Sequence, residues 1–214
     1  EILEAGELSY YGMVNALTAV PSDYIAQLHK IKIDWNEMTD FELFCLLVPS
    51  MDMEVTRLLF GELDFSQFTI VPTGPHQCYL HHKEDGFDLD EVAYMAIKNY
   101  LCHVHNMTPR RNKIAGNKGT RDIMIEDAID ELKKAGKKKQ KSVLRSIIST
   151  LVNFEGFKYN LEEVRAMKLG AFYDSAKRIP VIQSSRALLQ GCYSGNIDTK
   201  KLNKNELNYM RDLT

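Results

Sequence analysis

Phe68-Thr-Ile-Val-Pro-Thr-Gly-Pro-His-Gln-Cys-Tyr-Leu-His81 is the stretch on which the fold class turns. Phe68–Val71 and Cys78–His81 are short runs rich in β-branched and aromatic residues, and Pro72-Thr-Gly-Pro75 between them has turn chemistry. Asp85-Gly86, ahead of Phe87 and Leu89, marks a further turn. The pattern predicts a small hairpin, or a meander with a third short strand, around residues 68–89. A hairpin alone is marginal in water, so this one is expected to pack on helices.

It is the one clear β signal, and everything around it has helical spacing. Upstream, Ser9 to Ala19 predicts a short helix, and Pro21-Ser-Asp23 offers Ser22 or Asp23 as the cap of another. Ile31 to Trp35 is a connector. Thr39-Asp-Phe-Glu42 has the form of a capping box and leads into Phe41, Phe44, Leu47 and Val48 at helical spacing, with Pro49 as the stop. Met53 to Phe60 repeats the pattern and ends at Gly61.

Downstream, Asp88 or Asp90 starts a helix through Tyr94 and Leu101. A polar loop rich in Asn, Arg, Lys and Gly follows from His105 to Gly119 and is the candidate mobile or partner-contacting segment. Thr120 is placed to cap a helix that is acidic at its start and ends in Lys133-Lys134 before Gly136, matching the helix dipole. Val143, Leu144, Ile147, Ile148, Leu151 and Val152 form an apolar stripe. Phe154 to Tyr159 turns the chain, and Asn160 caps a short helix. Leu169 to Tyr193 is the longest periodic stretch, with a kink or break expected at Pro180 and an end at Gly195. Asn203 or Asn205 can cap a last short helix containing Leu207 and Tyr209. The predicted class is mainly α, a helical domain with a small β insert. The predicted division is an N-terminal lobe (1–104) with the hairpin, a basic loop (105–119) and a C-terminal lobe (120–214), unless the whole is one continuous domain.

Composition sets the outer limits. The 214 residues are 44% hydrophobic and 26% charged, which excludes a disordered chain, a collagen and a disulfide mini-protein. The formal charge of −2 hides an asymmetry: Pro109–Arg145 holds 12 basic and 5 acidic residues. A near-neutral total argues against a general nucleic-acid coat, while the central block can still meet an anionic partner. The four cysteines are far apart and form no CxxC pair, which fits a reduced, intracellular setting. No apolar run approaches the roughly 20 residues that span a bilayer. The chain opens on Glu1 rather than Met, so the native start is open to trimming, and no signal-peptide pattern is visible.

Three groups of residues invite a chemical reading. Cys78, His81, Cys102, His103 and His105 could meet around a metal if the hairpin packed on the following helix end. Their spacing lacks the tight pairs of zinc sites, and a polar rim of surface histidines is the simpler account. Arg110, Arg111, Lys113, Lys118, Lys137, Lys138 and Lys139 could meet phosphates. No stacking aromatic lies among them, so a solvated face or a dock for an acidic protein competes. Lys200, Lys201, Lys204, Tyr209 and Arg211 form a basic, aromatic C-terminal segment that could pair with an acidic partner. No GxSxG, Walker A, GxGxxG or HExxH pattern occurs, so no catalytic residue and no cofactor are assigned.

Several longer segments carry a family resemblance. They are Ala115-Gly-Asn-Lys118 before an acidic helix, the Ser146 to Tyr159 segment ending Val152-Asn-Phe-Glu-Gly-Phe-Lys-Tyr159, Phe172-Tyr-Asp-Ser-Ala-Lys-Arg-Ile179, Tyr193-Ser-Gly-Asn-Ile-Asp-Thr-Lys-Lys201 and Glu206-Leu-Asn-Tyr-Met-Arg-Asp212. Asp40-Phe-Glu-Leu-Phe44 and Leu59-Phe-Gly-Glu-Leu-Asp-Phe65 match as well. From about residue 17 onward the chain resembles a family encoded by tailed bacteriophages and prophages of Gram-positive bacteria, in the gene block for tail morphogenesis. The resemblance implies a helical, non-enzymatic tail-assembly chaperone that binds the tape-measure protein, or a minor virion component. It would act in the host cytoplasm during assembly, or remain in the virion, with self-association open and no membrane involved. Nine methionines suit an adaptable groove for amphipathic helices, although filling a core explains each of them singly. A nucleic-acid-binding regulator using the 109–145 block, a metal-dependent enzyme at the Cys/His group, and a phage protein acting on a host defence factor are the alternatives.

Overall fold

The structure is a computed structural model of the chain and describes residues 1–74, 77–136, 141–198, 200 and 202–213. The described residues form ten α-helices and one three-stranded antiparallel sheet, so the chain is mainly α with a small β insert. It divides into two units: Glu1–Cys102 with Pro109–Ser142, and His103–Thr108 with Val143–Thr214. The 105–119 loop is shared between them.

In the first unit, Gly6 at φ 103° separates α1 (Ile2–Ala5) from α2 (Glu7–Leu17), so the helix expected from Ser9 begins two residues earlier. Ser22 and Asp23 do not cap α3 (Ile25–Lys30), whose N-cap is Tyr24. The Asp23 carboxylate instead accepts from the Val20 amide, and the Ser22 hydroxyl accepts from the Lys113 amide. The capping box at α4 (Asp40–Leu47) is present: the Glu42 amide donates to Thr39 Oγ1 at 3.1 Å, and the Thr39 amide donates to the Glu42 carboxylate at 2.7 Å. Pro49 turns the chain into a 3-10 turn, after which Asp52 caps α5 (Met53–Phe60) and Gly61 ends it at φ 65°.

The insert is a meander of β1 (Phe68–Gly74), β2 (Gln77–His82) and β3 (Asp88–Leu89) in the order β1-β2-β3. Its register pairs Ile70 with Leu80 and Phe68 with His82. Strand β1 runs through Pro72 to Gly74, further than the turn residues suggest; this is an edge strand, where proline is tolerated. Alternation sends His82 and Leu80 inward and leaves His81 half-exposed. Asp90, not Asp88, caps α6 (Glu91–Val104), accepting from the Ala93 amide at 2.8 Å. Asn117 rather than Thr120 caps α7 (Lys118–Ala135), its side chain accepting from the Thr120 amide.

The core of the first unit gathers Ala19, Ile25, Leu28, Trp35, Leu43, Ala115 and Ile125, which joins α3, α4, α7 and the 109–117 strand of chain. Beside it Phe44 lies 4.6 Å and Phe41 5.7 Å from the Tyr94 ring, tying α4 to α6. Full burial of each such side chain contributes roughly 1.5–3 kcal/mol.

In the second unit, α8 (Val143–Val152) buries Leu144 and Leu151. Val143 is 58% exposed, so the predicted apolar stripe begins one residue late. Asn160 caps α9 (Leu161–Ala166) in a second capping box, closed by Glu163. Of the kink or break expected at Pro180, there is no break: the long helix α10 (Leu169–Tyr193) continues through it. The chain then doubles back along it: the last element is a 3-10 turn over Lys204–Leu207, capped by Asn203, rather than an α-helix. Leu151, Val164, Phe172 and Ile179 form the buried face that holds α8, α9 and α10 together.

Candidate interaction surfaces

The basic segment is built into the first unit. Trp35 Nε1 donates to the Lys113 carbonyl at 3.1 Å, and Asn36 brackets Ala115 from both sides, its amide donating to the carbonyl and its oxygen accepting from the N–H. The Asn112 side chain accepts from the Ser22 amide at 2.9 Å and donates to the Trp35 carbonyl. Arg110 pairs with Asp23 at 2.8 Å and donates to Asn15 and Thr18, while Arg121 pairs with Asp34 and lies over the Trp35 ring at 5.4 Å. Two of the cations are thus bound to acidic partners of their own unit. Arg111, Lys113 and Lys118 have exposed side chains. Lys137, Lys138 and Lys139 lie outside the described residues.

The Cys/His group is not gathered into one site. Cys78, on β2, faces Cys45 of α4 across 3.8 Å between sulfurs. His81 contacts the Asp88 carboxylate at 2.7 Å. Cys102 is buried on α6, and burial pushes its thiol up from the ordinary value, opposed by Lys98 and Arg110. His103 is exposed, and His105 is buried beside the Tyr173 ring in the second unit. Among the described residues no three His, Cys, Asp or Glu side chains stand close enough to hold a metal ion.

The C-terminal segment is strapped to α10 by the Arg178 guanidinium and the Ser185 hydroxyl. Arg178 donates to the carbonyls of Tyr209 and Arg211, both at 2.8 Å. Arg211 donates to the Glu206 and Asn208 carbonyls of its own segment, and Ser185 of α10, fully buried, donates to the Glu206 carbonyl at 2.7 Å. Arg211 is therefore engaged inside the unit, whereas Lys200 and Lys204 are exposed and Tyr209 is 48% exposed. Lys201 lies outside the described residues. Tyr193 and Met210 add exposed apolar surface to the same unit, at 87% and 74%.

Between α8 and α10 lies an apolar cleft of about 160 Å³, lined by Ile147, Thr150 and Leu151 on one side and Ala176, Ile179 and Pro180 on the other. Pro180 has no N–H to return to the Ala176 carbonyl, so an acceptor is released at this point of the helix. A cavity of roughly 150 Å³ holds a benzene-sized group, so this cleft fits one large apolar side chain. Sequence reading placed no site here; the signal was a proline inside an unbroken helical period, which reads equally as a helix break. It also passed over Lys98, which is 3% exposed and pairs with Asp40 at 2.8 Å.

No helix among the described residues is long and apolar enough to cross a membrane. No curated protein and no solved structure matches the chain. Residues 136–214 match the family model described as the YomV second domain, a phage-associated domain, and this match supports a phage origin for the chain.

Proposed function

We propose that this chain is a non-enzymatic phage morphogenesis protein that works by protein–protein contact, as a tail-assembly chaperone for the tape-measure protein. The observation that carries the reading is the apolar cleft between α8 and α10, which lies within the phage-associated stretch 136–214. An amphipathic partner helix can seat a Leu or Phe side chain there, with its polar face turned to water. Exposed Tyr193, Tyr209 and Met210 extend the apolar surface of the same unit. Lys200 and Lys204 favour acidic residues on the partner. The site of action on this reading is the host cytoplasm during assembly. Retention in the finished particle would make the chain a minor virion component using the same contact.

The test is co-expression with the tape-measure protein of the same gene block. Thr150 is exposed at the cleft, so Thr150→Arg blocks the cleft without touching the core. The wild type is expected to co-purify with the tape-measure protein and keep it soluble, insensitive to nuclease, while Thr150→Arg loses it at an unchanged melting temperature. Equal recovery by both proteins overturns the cleft as the contact. Recovery of nucleic acid, of a host factor, or of a homo-oligomer alone overturns the chaperone reading.

A further inference from the structure

Two of the four cysteines meet inside the first unit. Cys45 lies on α4, 1% exposed, and Cys78 lies on β2, partly open to solvent. The Cys78 thiol donates to the Cys45 sulfur at 3.8 Å, across 33 positions of sequence. Thiols of reduced, intracellular proteins are free by default, and nothing in packing alone requires two of them to touch. The contact places a would-be cross-link between the helical core and the β insert, since α4 and β2 are packed on each other.

We propose that Cys45 and Cys78 are a dithiol–disulfide pair that fastens the β meander to α4 when the protein meets a hydroperoxide oxidant. The sulfurs need to close from 3.8 Å to about 2.05 Å. Cys78 is the partner that the oxidant reaches. With hydrogen peroxide, the Cys78 thiol gives up its proton, its thiolate attacks one peroxide oxygen, the O–O bond breaks, and Cys78 becomes a sulfenic acid while the other oxygen leaves as hydroxide and takes up that proton as water. The Cys45 sulfur then attacks the Cys78 sulfur, its proton goes to the departing hydroxyl, and a second water is released. Two thiols lose two electrons, and the peroxide takes both. Burial, and then Cys78 itself, push the Cys45 thiol above its ordinary range, which makes Cys45 the slow, second partner.

The cross-link closes a loop of 33 intervals holding α5 and β1, which are otherwise held by non-covalent packing alone. In a reducing cytoplasm the pair remains open, and in an oxidising medium outside the cell it closes. The inference rests on this pair alone and is independent of the chaperone reading.

The test treats reduced, full-length protein with one equivalent of hydrogen peroxide, alkylates the remaining thiols and maps peptides by mass. The expected product is about 2 Da lighter before alkylation, contains a Cys45–Cys78 peptide, and leaves Cys102 and Cys192 alkylated. Its melting temperature is expected to rise by roughly 5–10 °C, an effect reversed by dithiothreitol. Cys78→Ser, at the partly exposed position, keeps the fold and shows neither the mass loss nor the shift, while Cys192→Ser behaves as wild type. A sulfinic product on Cys78 with Cys45 still alkylated overturns the proposal, and so does a cross-link through Cys102 or Cys192.

Discussion

Trp35 donates its indole N–H to the carbonyl of Lys113 at 3.1 Å, joining residues 78 positions apart. The bond fixes the basic 109–117 segment across the core of the first unit, with the buried Trp35 ring beneath Arg121. A segment that reads as a free polar loop is thereby a structural strap. Trp35→Phe keeps most of the burial but leaves the Lys113 carbonyl without its donor. It is expected to cost about 1–3 kcal/mol in urea unfolding and to open residues 109–117 to limited proteolysis. An unchanged cleavage pattern would mean that Asn36 and Asn112 hold the strap without help.

Lys98 and Asp40 form an asymmetric pair. The lysine side chain is 4% exposed and the aspartate 33%. Asp40→Ala strands a cation in the core and is expected to cost about 3–5 kcal/mol. Lys98→Met leaves a carboxylate that water still reaches, at the first turn of α4 where the helix dipole favours it, and is expected to cost clearly less. Denaturant unfolding of the two variants and the double variant checks the order.

Alkaline stability follows from the buried phenols. Burial, and then Asp40, raise the Tyr94 hydroxyl above its ordinary value of 10.0, and burial and Asp23 raise Tyr24. A raised phenol contributes stability that is complete below pH 10 and is lost as the pH climbs toward the folded-state value. Unfolding above pH 10 should therefore coincide with the rise of tyrosinate absorbance. Tyr94→Phe is expected to flatten the fall in stability above pH 10 and leave neutral pH little affected.

Gly191, in the last turn of α10, is where the chain leaving the helix packs back against it. A Cβ there would stand 2.5 Å from Ile197 Cδ1 and 2.9 Å from its Cγ1. The Gly191 carbonyl also accepts from the amides of Asn196 and Ile197, so the turn cannot simply slide away. Gly191→Ala is expected to cost about 1–3 kcal/mol and to speed amide exchange over 194–213. Ile197→Ala in the same chain should restore much of the loss, because it removes the clashing atoms.

Removing the Asn160 side chain deletes the acceptor for two amides at the start of α9. Asn160→Ala is expected to cost about 1 kcal/mol, with Asn160→Asp close to wild type. Thermal unfolding of the two variants separates the cap from any effect of packing.

The parts that were legible in the sequence share a short range. The box at Thr39–Glu42 and the cap at Asn160 need only residues a few positions apart, and β1 and β2 need only short runs of β-prone residues around a turn. Where two local choices were equal, the sequence could not decide between them. Asn117 and Thr120 are both good caps, and Asn117 takes the role because the strap pinned by Trp35 and Asn36 ends there. Both Asp88 and Asp90 suit a helix start, but pairing of β3 with β2 takes Asp88 into the sheet.

Amino-acid order by itself determined that this chain is helical with one small meander, because helix and strand periods and their caps are written within a few residues. Only tertiary structure decided that α10 continues past Pro180. Proline costs a helix roughly 3 kcal/mol, and the burial of Phe172 and Ile179 against the second unit's core offsets it. Only tertiary structure brought Cys45 to Cys78, Trp35 to Lys113 and Arg178 to the C-terminal carbonyls. Each of these satisfies a polar or polarisable group with a partner 31 or more residues away. No local period encodes such a partner; it is selected when the apolar faces around it close.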